Sequence, residues 1–362
     1  MSPVRVLVAD DSAFMRRQLT RILEADPDLT VIGIARNGQE AVDKVRELEP
    51  DVITLDINMP VMDGLTALTY IMMERPTPCL MVSSLTQDGA LATLEALELG
   101  AVDYVAKPSG TISMDIKSQS DEIVAKVRAA ARARLRRGGP KPARGVSDSK
   151  KKEMISPRVS AQPATTPGTS RIVAIGVSTG GPQTLLEILP LLPPDLEAPV
   201  AIVQHMPPGF TASLAKRLDE VCAINVKEAE QNEPLLPGWA YIAPGGYHLT
   251  VQQSTLGRGP VAHLSDRPRG FSFCPSVEVL FESVARVFGP RAVGVLLTGM
   301  GSDGADGMVR IRRAGGFTIA ESEESAVVFG MPREAIERGG AQIILPATRI
   351  ADQIVAALRR MP

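Results

Sequence analysis

Two groups of polar residues stand at the ends of apolar runs, and each has the makings of a reaction centre. In the first, Asp10 and Asp11 close VRVLVA, Asp56 closes DVITLD, Ser83 closes CLMVSS and Lys107 closes VDYVAK. Three carboxylates, a hydroxyl and an ammonium gathered on one edge call for a cation, and an all-oxygen donor set suits Mg²⁺. Asp56 is then placed to attack phosphorus and hold the phosphoryl group as an acyl phosphate. In the second group, Ser178 is the centre of a G-x-S-x-G sequence, Gly176 to Gly180, that ends the run IVAIGV. His205 follows PVAIVQ, and Asp303 lies in VGVLLTGMGSDGADG. A hydroxyl, an imidazole and a carboxylate on one edge are the parts of a nucleophile, a base and an orienter for acyl transfer.

Such positions converge only if the runs are parallel strands, because ligands collect at the carboxyl ends of a parallel sheet. Residues 1–137 alternate five β-branched runs, VRVLVA, VIGIA, DVITLD, CLMVSS and VDYVAK, with longer amphipathic segments. This pattern predicts a flavodoxin-like (βα)5 unit. From Arg171 the alternation resumes with RIVAIGV, PVAIVQ, AVGVLLT and QIILP, and helices are predicted at Ser276 to Phe288 and Ile350 to Arg360. A second, doubly wound and mostly parallel α/β domain over 171–362 follows. Between its early and late βα units, WAYIAPGGYHLTVQ and VAHLSD, with Pro244, Gly245 and Gly246 as turn residues, predict an antiparallel hairpin inserted in the sheet. Between them, 17 of the 33 residues in 138–170 are Pro, Gly, Ser or Thr, the composition of a flexible tether.

The rest of the composition narrows the function. Of 362 residues, 39 are Lys or Arg and 41 are Asp or Glu, so the net charge of −2 favours neither nucleic acid nor an anionic membrane as partner. The run Lys126 to Lys152 is basic, but a solvated helix end entering a tether accounts for it, and no chemistry is assigned there. Aromatic residues make up only 4% of the chain, leaving the cores to aliphatic side chains. Cys79, Cys222 and Cys274 are an odd, widely spaced set without C-x-x-C, and the three histidines form no H-E-x-x-H. Neither a disulfide framework nor a catalytic zinc is expected. Without a signal-peptide pattern or an 18-residue apolar stretch, a cytoplasmic protein with no membrane insertion is expected.

The VADDS, LDINMPVMDG, MVSS and DYVAKP segments resemble the signature of two-component response-regulator receiver domains across residues 1–125. The resemblance implies Asp56 as phosphoacceptor, Asp10 and Asp11 with the Asn58 carbonyl as Mg²⁺ ligands, and Ser83, Tyr104 and Lys107 as readers of the phosphoryl group. It also implies a histidine kinase as phosphodonor.

Two other readings draw on the second group. In the order of an α/β-hydrolase, Ser178 would be followed by Asp219 and by His248 or His263, although both histidines fall in the hairpin region. Gly299, Gly301 and Gly304 also spell a dinucleotide fingerprint, with Glu321 and Glu323 downstream. Asp303 would then set a carboxylate where a pyrophosphate should lie, which like-charge repulsion opposes.

The combination GVSTGGP, QHMPPGF, APGGYHL and LLTGMGSDGADG resembles the catalytic domain of the protein-glutamate methylesterases of bacterial chemotaxis. That family has a receiver and a linker ahead of this domain, so the resemblance covers nearly the whole chain. It implies Ser178 as nucleophile, His205 as general base and acid, and Asp303 as orienter, with Thr179 and the backbone of Met300 lining the site. The implied substrates are glutamyl methyl esters on the cytoplasmic helices of methylated chemoreceptors, with deamidation of receptor glutamines at the same sites and no cofactor for the ester chemistry. A receiver docked over the Ser178 edge, loosened by phosphorylation at Asp56, is the expected form of control.

Overall fold

In the computed structural model the described residues are 2–84, 86–107, 115–133, 171–254 and 259–361. The tether expected at 138–170 lies outside them. The first apolar runs form β1 (Val4–Ala9), β2 (Leu29–Ala35), β3 (Val52–Asp56), β4 (Cys79–Ser83) and β5 (Asp103–Ala106). They pair in parallel in the order β2-β1-β3-β4-β5. Successive side chains of β1 serve opposite faces: Leu7 and Ala9 join one core, Val6 and Val8 another. The covering helices are α1 (Ala13–Glu24), α2 (Gly38–Leu48), α3 (Gly64–Glu74), α4 (Gln87–Glu98) and α5 (Asp115–Ala131). Ser12, Asn37, Asp63 and Thr86 start the first four, each side chain accepting a backbone N–H of the first turn. Such a cap contributes about 1 kcal/mol.

The later runs form β6 (Ile172–Val177), β7 (Val200–Gln204), β8 (Asn225–Glu228), β9 (Trp239–Ile242), β10 (His248–Gln253), β11 (Pro260–Ser265), β12 (Ala292–Leu296), β13 (Phe317–Glu321) and β14 (Ile343–Leu345). Seven pair in parallel, in the order β14-β13-β12-β6-β7-β9-β8. The helices are α6 (Gly181–Ile188), α7 (Phe210–Val221), α8 (Val277–Phe288), α9 (Ala305–Arg313), α10 (Met331–Glu337) and α11 (Ala347–Arg360). Val173, Ile175 and Val177 of β6 pack with α6 and α11, whereas Ile172 and Ala174 pack with α8 and α9, so both faces are covered.

The antiparallel hairpin is β10 with β11, and it stands outside the seven-stranded sheet as a separate pair. WAYI instead enters that sheet as β9, parallel to β7, because the Pro244 to Gly246 turn carries the chain away from it and does not fold the strand back. Two strands escaped the sequence reading. β8 is short and polar at an edge, and β13 ends in a buried Glu321. Among the described residues no helix is long and apolar enough to cross a membrane.

The two sheets meet through α4, β5 and α5 of the first and α6, α7 and residues around Val327 of the second. The Tyr104 ring stacks on Phe210 with centroids 4.9 Å apart. Thr179 Oγ1 donates to Asp103 Oδ2 at 2.7 Å, both groups buried. The Gln183 side-chain amide donates to the Leu97 carbonyl, and Arg217 forks onto both oxygens of Glu98 at 2.6 and 2.9 Å. One apolar cluster runs continuously across this junction, joining Ala90, Leu94 and Tyr104 to Leu185 and Phe210.

Candidate functional site

β12, β6 and β7 are neighbours, and the chain reverses direction of winding between β6 and β12. A crevice at the carboxyl ends follows from that reversal. Ser178 comes one residue after β6, His205 one residue after β7, and Asp303 in the loop from β12 to α9. Ser178 is not a helix cap: Gly180 caps α6 in the left-handed conformation, at φ +77°, with no side-chain bond. Its backbone is clamped from both sides instead. The Ser178 N–H donates to the Thr298 carbonyl at 3.0 Å, and the Gln204 amide donates to the Ser178 carbonyl at 3.0 Å. A β-carbon at Gly181 would fall on the Gln204 side chain, and one at Gly299 would press on Ser178 Cβ at 2.8 Å, so both loops need glycine to close around the serine.

The Ser178 Oγ lies 3.1 Å from His205 Nδ1, and His205 Nε2 lies 2.7 Å from Asp303 Oδ2. The imidazole thus spans hydroxyl and carboxylate. Phe273 stacks on its face, with centroids 4.1 Å apart. Burial pushes the Asp303 carboxyl up, but the hydrogen bond and charge of His205, the Val277 N–H and the Ser276 hydroxyl outweigh it, and its pKa stands below the ordinary aspartate value. An ionised Asp303 only accepts, so Nε2 carries the proton and Nδ1 keeps its lone pair toward Ser178.

The start of α8 completes the carboxylate's environment. Val277 N–H reaches Asp303 Oδ2 at 2.7 Å, while Ser276 Oγ and Glu278 N–H reach Oδ1 at 2.8 and 3.1 Å. Unpaired helix N–H groups and the positive helix end both favour the anion. Sequence reasoning missed Ser276 and Gln204. Their signals were a serine opening an amphipathic helix and a lone polar residue ending an apolar strand.

Met300 follows Gly299 beside Ser178, at the end of a cleft of about 1240 Å³ that runs between α1, α5 and residues 326–330. Thr179 is adjacent to Ser178, its hydroxyl turned to Asp103. The other assemblies of the same residues are absent. His248 spends Nδ1 on the Ser276 N–H and Nε2 on the Pro268 carbonyl, Asp219 accepts the Val226 N–H, and buried Glu321 accepts the Thr298 N–H.

In the first sheet, carboxylate oxygens of Asp10, Asp11 and Asp56 lie within 4.8 Å of one another. Lys107 Nζ is 2.8 Å from Asp56 and 3.4 Å from Asp10. Burial, with the Asp10 charge, pushes the Asp56 carboxyl up against the pull of Lys107; burial does the same to Asp10. Burial opposes the Lys107 ammonium, yet Asp56 and Asp10 hold its pKa above the ordinary lysine value. Asp10 Oδ2 and Asp56 Oδ1 are buried without a hydrogen-bond partner, so one ammonium does not satisfy the cluster. Orphaned carboxylate oxygens of this kind fit a hard divalent cation. Asn58 follows at the exposed turn after β3. Ser83 is buried, its hydroxyl accepting from Thr93 and facing the Gly89 carbonyl, and Tyr104 is buried under Phe210 with its own hydroxyl unpartnered.

Residues 173–354 match the family model described as CheB methylesterase, and residues 6–116 match the response regulator receiver domain. The chain is 54% identical over 363 residues to the protein-glutamate methylesterase/protein-glutamine glutaminase 2 of Carboxydothermus hydrogenoformans, covering 99% of this chain and 100% of that one. It is 53% identical to the protein of the same activity name from Caldanaerobacter subterraneus, covering 96% and 95%. The crystal structure of the Thermotoga maritima CheB methylesterase catalytic domain is 42% identical, covers 52% of this chain and 98% of its own, and superposes with a TM-score of 0.50.

Proposed function

This chain belongs to the CheB methylesterase family and carries a response regulator receiver domain, and from that premise we propose that it hydrolyses glutamyl methyl esters of chemoreceptors and deamidates receptor glutamines, under phosphorylation control. The bridge from Ser178 through His205 to Asp303 carries the proposal. Ser178 Oγ attacks the ester carbonyl as His205 Nδ1 takes its proton. The oxyanion develops beside the Met300 backbone and the loop that opens α6, where helix N–H groups favour negative charge. His205 returns the proton to the leaving methoxide, releasing methanol; for a glutamine side chain the leaving group is ammonia. Water, deprotonated by the same nitrogen, then frees glutamate and Ser178.

Intact-mass analysis of methylated receptor tests this reading. Each hydrolysed ester removes one methylene from the receptor, and Ser178→Ala should leave the mass unchanged. Loss of methylene from the Ser178→Ala incubation would remove the serine from the mechanism.

Residues 1–137 are assigned to the receiver, 138–170 to a tether and 171–362 to the catalytic domain. Asp56 is the phosphoacceptor. Asp10, Asp11 and Asp56, with the Asn58 carbonyl, would hold Mg²⁺, which when bound supplies charge neutralisation to the incoming phosphoryl group. Lys107 binds its oxygens, and Ser83 and Tyr104 respond by rearranging. Because Asp103 engages the residue next to the nucleophile and Tyr104 packs on Phe210, a receiver docked in this way limits access to Ser178. A histidine kinase supplies the phosphoryl group. Millimolar Mg²⁺ should raise the thermal midpoint of the receiver, since it binds only the folded cluster, and Asp10→Asn should abolish most of that rise. An equal rise in the variant would contradict the ligand assignment.

A further inference from the structure

Three aromatic side chains of this aromatic-poor chain gather on one side of the triad. Tyr247 is 51% exposed and Phe271 40%, while Phe273 lies on the His205 ring. They belong to two segments tied together: the Gly246 N–H donates to the Cys274 carbonyl at 3.0 Å, and Phe271 meets His248 edge-on at 5.8 Å. His248 fixes the segment to the catalytic machinery. Its Nε2 bonds the Pro268 carbonyl at 3.1 Å, and its Nδ1 accepts from Ser276, which in turn bonds Asp303. The exposed guanidiniums of Arg267 and Arg269 belong to the same segment, with Asp266 pairing only Arg269. The hydrogen bonds and ring contact made to the receiver by Thr179, Gln183, Phe210 and Arg217 fall outside Tyr247 and residues 266–274.

We propose that residues 266–274 with Tyr247 form the docking surface for the substrate helix, gripping an amphipathic helix whose apolar stripe meets Tyr247 and Phe271 and whose acidic side chains meet Arg267 and Arg269. The inference rests on the methylesterase reading and names the surface that presents the ester to it. Position supports it: Phe273, in the same segment, stacks on the imidazole that bonds the Ser178 hydroxyl, so the surface borders the catalytic base. The charge balance supports it too, since a helix that carries esterified glutamates also carries free ones. Exposed aromatics and arginines at the centre of a contact are the residues that dominate protein binding.

The test uses the full-length chain with Tyr247→Ser and Phe271→Ser combined, neither residue being a hydrogen-bond or ring partner of Ser178, His205 or Asp303. Receptor binding is read by co-sedimentation of the Ser178→Ala chain, with and without the pair, with methyl-esterified chemoreceptor membranes. Catalysis is read as methanol release from those membranes and, in parallel, as hydrolysis of p-nitrophenyl acetate. The expected result is a loss of about tenfold or more in binding and in methanol-release kcat/KM, with p-nitrophenyl acetate turnover held within about twofold. Unchanged methanol release, or an equal fall with both substrates, overturns the docking surface. If the unsubstituted chain releases no methanol while still hydrolysing p-nitrophenyl acetate, the receptor reading itself fails, and the docking inference with it.

Discussion

Asp303→Asn is expected to lower kcat for receptor demethylation by about three to four orders of magnitude while leaving the fold intact. Both carboxylate oxygens are acceptors here: Oδ2 takes His205 Nε2 and the Val277 N–H, and Oδ1 takes Ser276 and the Glu278 N–H. An asparagine has only one acceptor oxygen. If its amide nitrogen faces His205, it donates to Nε2, the imidazole proton moves to Nδ1, and the lone pair that should receive the Ser178 proton is gone. If the nitrogen faces the other way, it opposes the Glu278 N–H, and the positive imidazolium of the transition state loses its counter-charge. Methanol-release kinetics beside a circular dichroism spectrum check this. Wild-type kcat in a folded variant would take Asp303 out of the mechanism.

Excision of residues 1–140 should raise the basal rate on receptor by about ten- to a hundredfold. A docked state favoured by about 1.4–2.8 kcal/mol leaves the open form at about one part in ten to one in a hundred, and removal of the receiver returns that factor. The interface has the means: a stacked aromatic pair, a buried hydroxyl–carboxylate bond and a two-pronged ion pair, the last exposed and so a small contributor. Residues 171–361 contain the whole seven-stranded sheet and the helices that cover both its faces. Methanol release from receptor membranes, compared with the full chain lacking a phosphodonor, measures the ratio. A folded fragment no faster than the full chain would contradict occlusion.

Much of this was legible in the residues because strand ends are marked twice, by the stop of an apolar run and by the polar residue after it. Asp10, Asp56, Ser178 and His205 all sit at such stops. Asp303 was legible by its place beyond β12, though not its grip by α8, since a serine that opens a helix ordinarily caps it and here bonds a distant carboxylate instead. β8 and β13 were missed because edge position and a buried terminal glutamate break the apolar pattern. The hairpin was misplaced because Pro244, Gly245 and Gly246 signal a turn without saying which strands it joins. Contacts between domains have no sequence periodicity at all. That Thr179 faces Asp103, or that Tyr104 meets Phe210, depends on surfaces that belong to two different sheets.

Demethylation of receptors by one serine under the control of Asp56, as proposed, makes two separable demands. The most direct test is methanol release from methyl-esterified chemoreceptor membranes, with Mg²⁺ present and a small-molecule phosphodonor added midway, for the wild type, Ser178→Ala and Asp56→Asn. The wild type should release methanol slowly and accelerate on addition, Asp56→Asn should continue at its basal rate, and Ser178→Ala should release none. Acceleration in Asp56→Asn, or release from Ser178→Ala, would contradict the account.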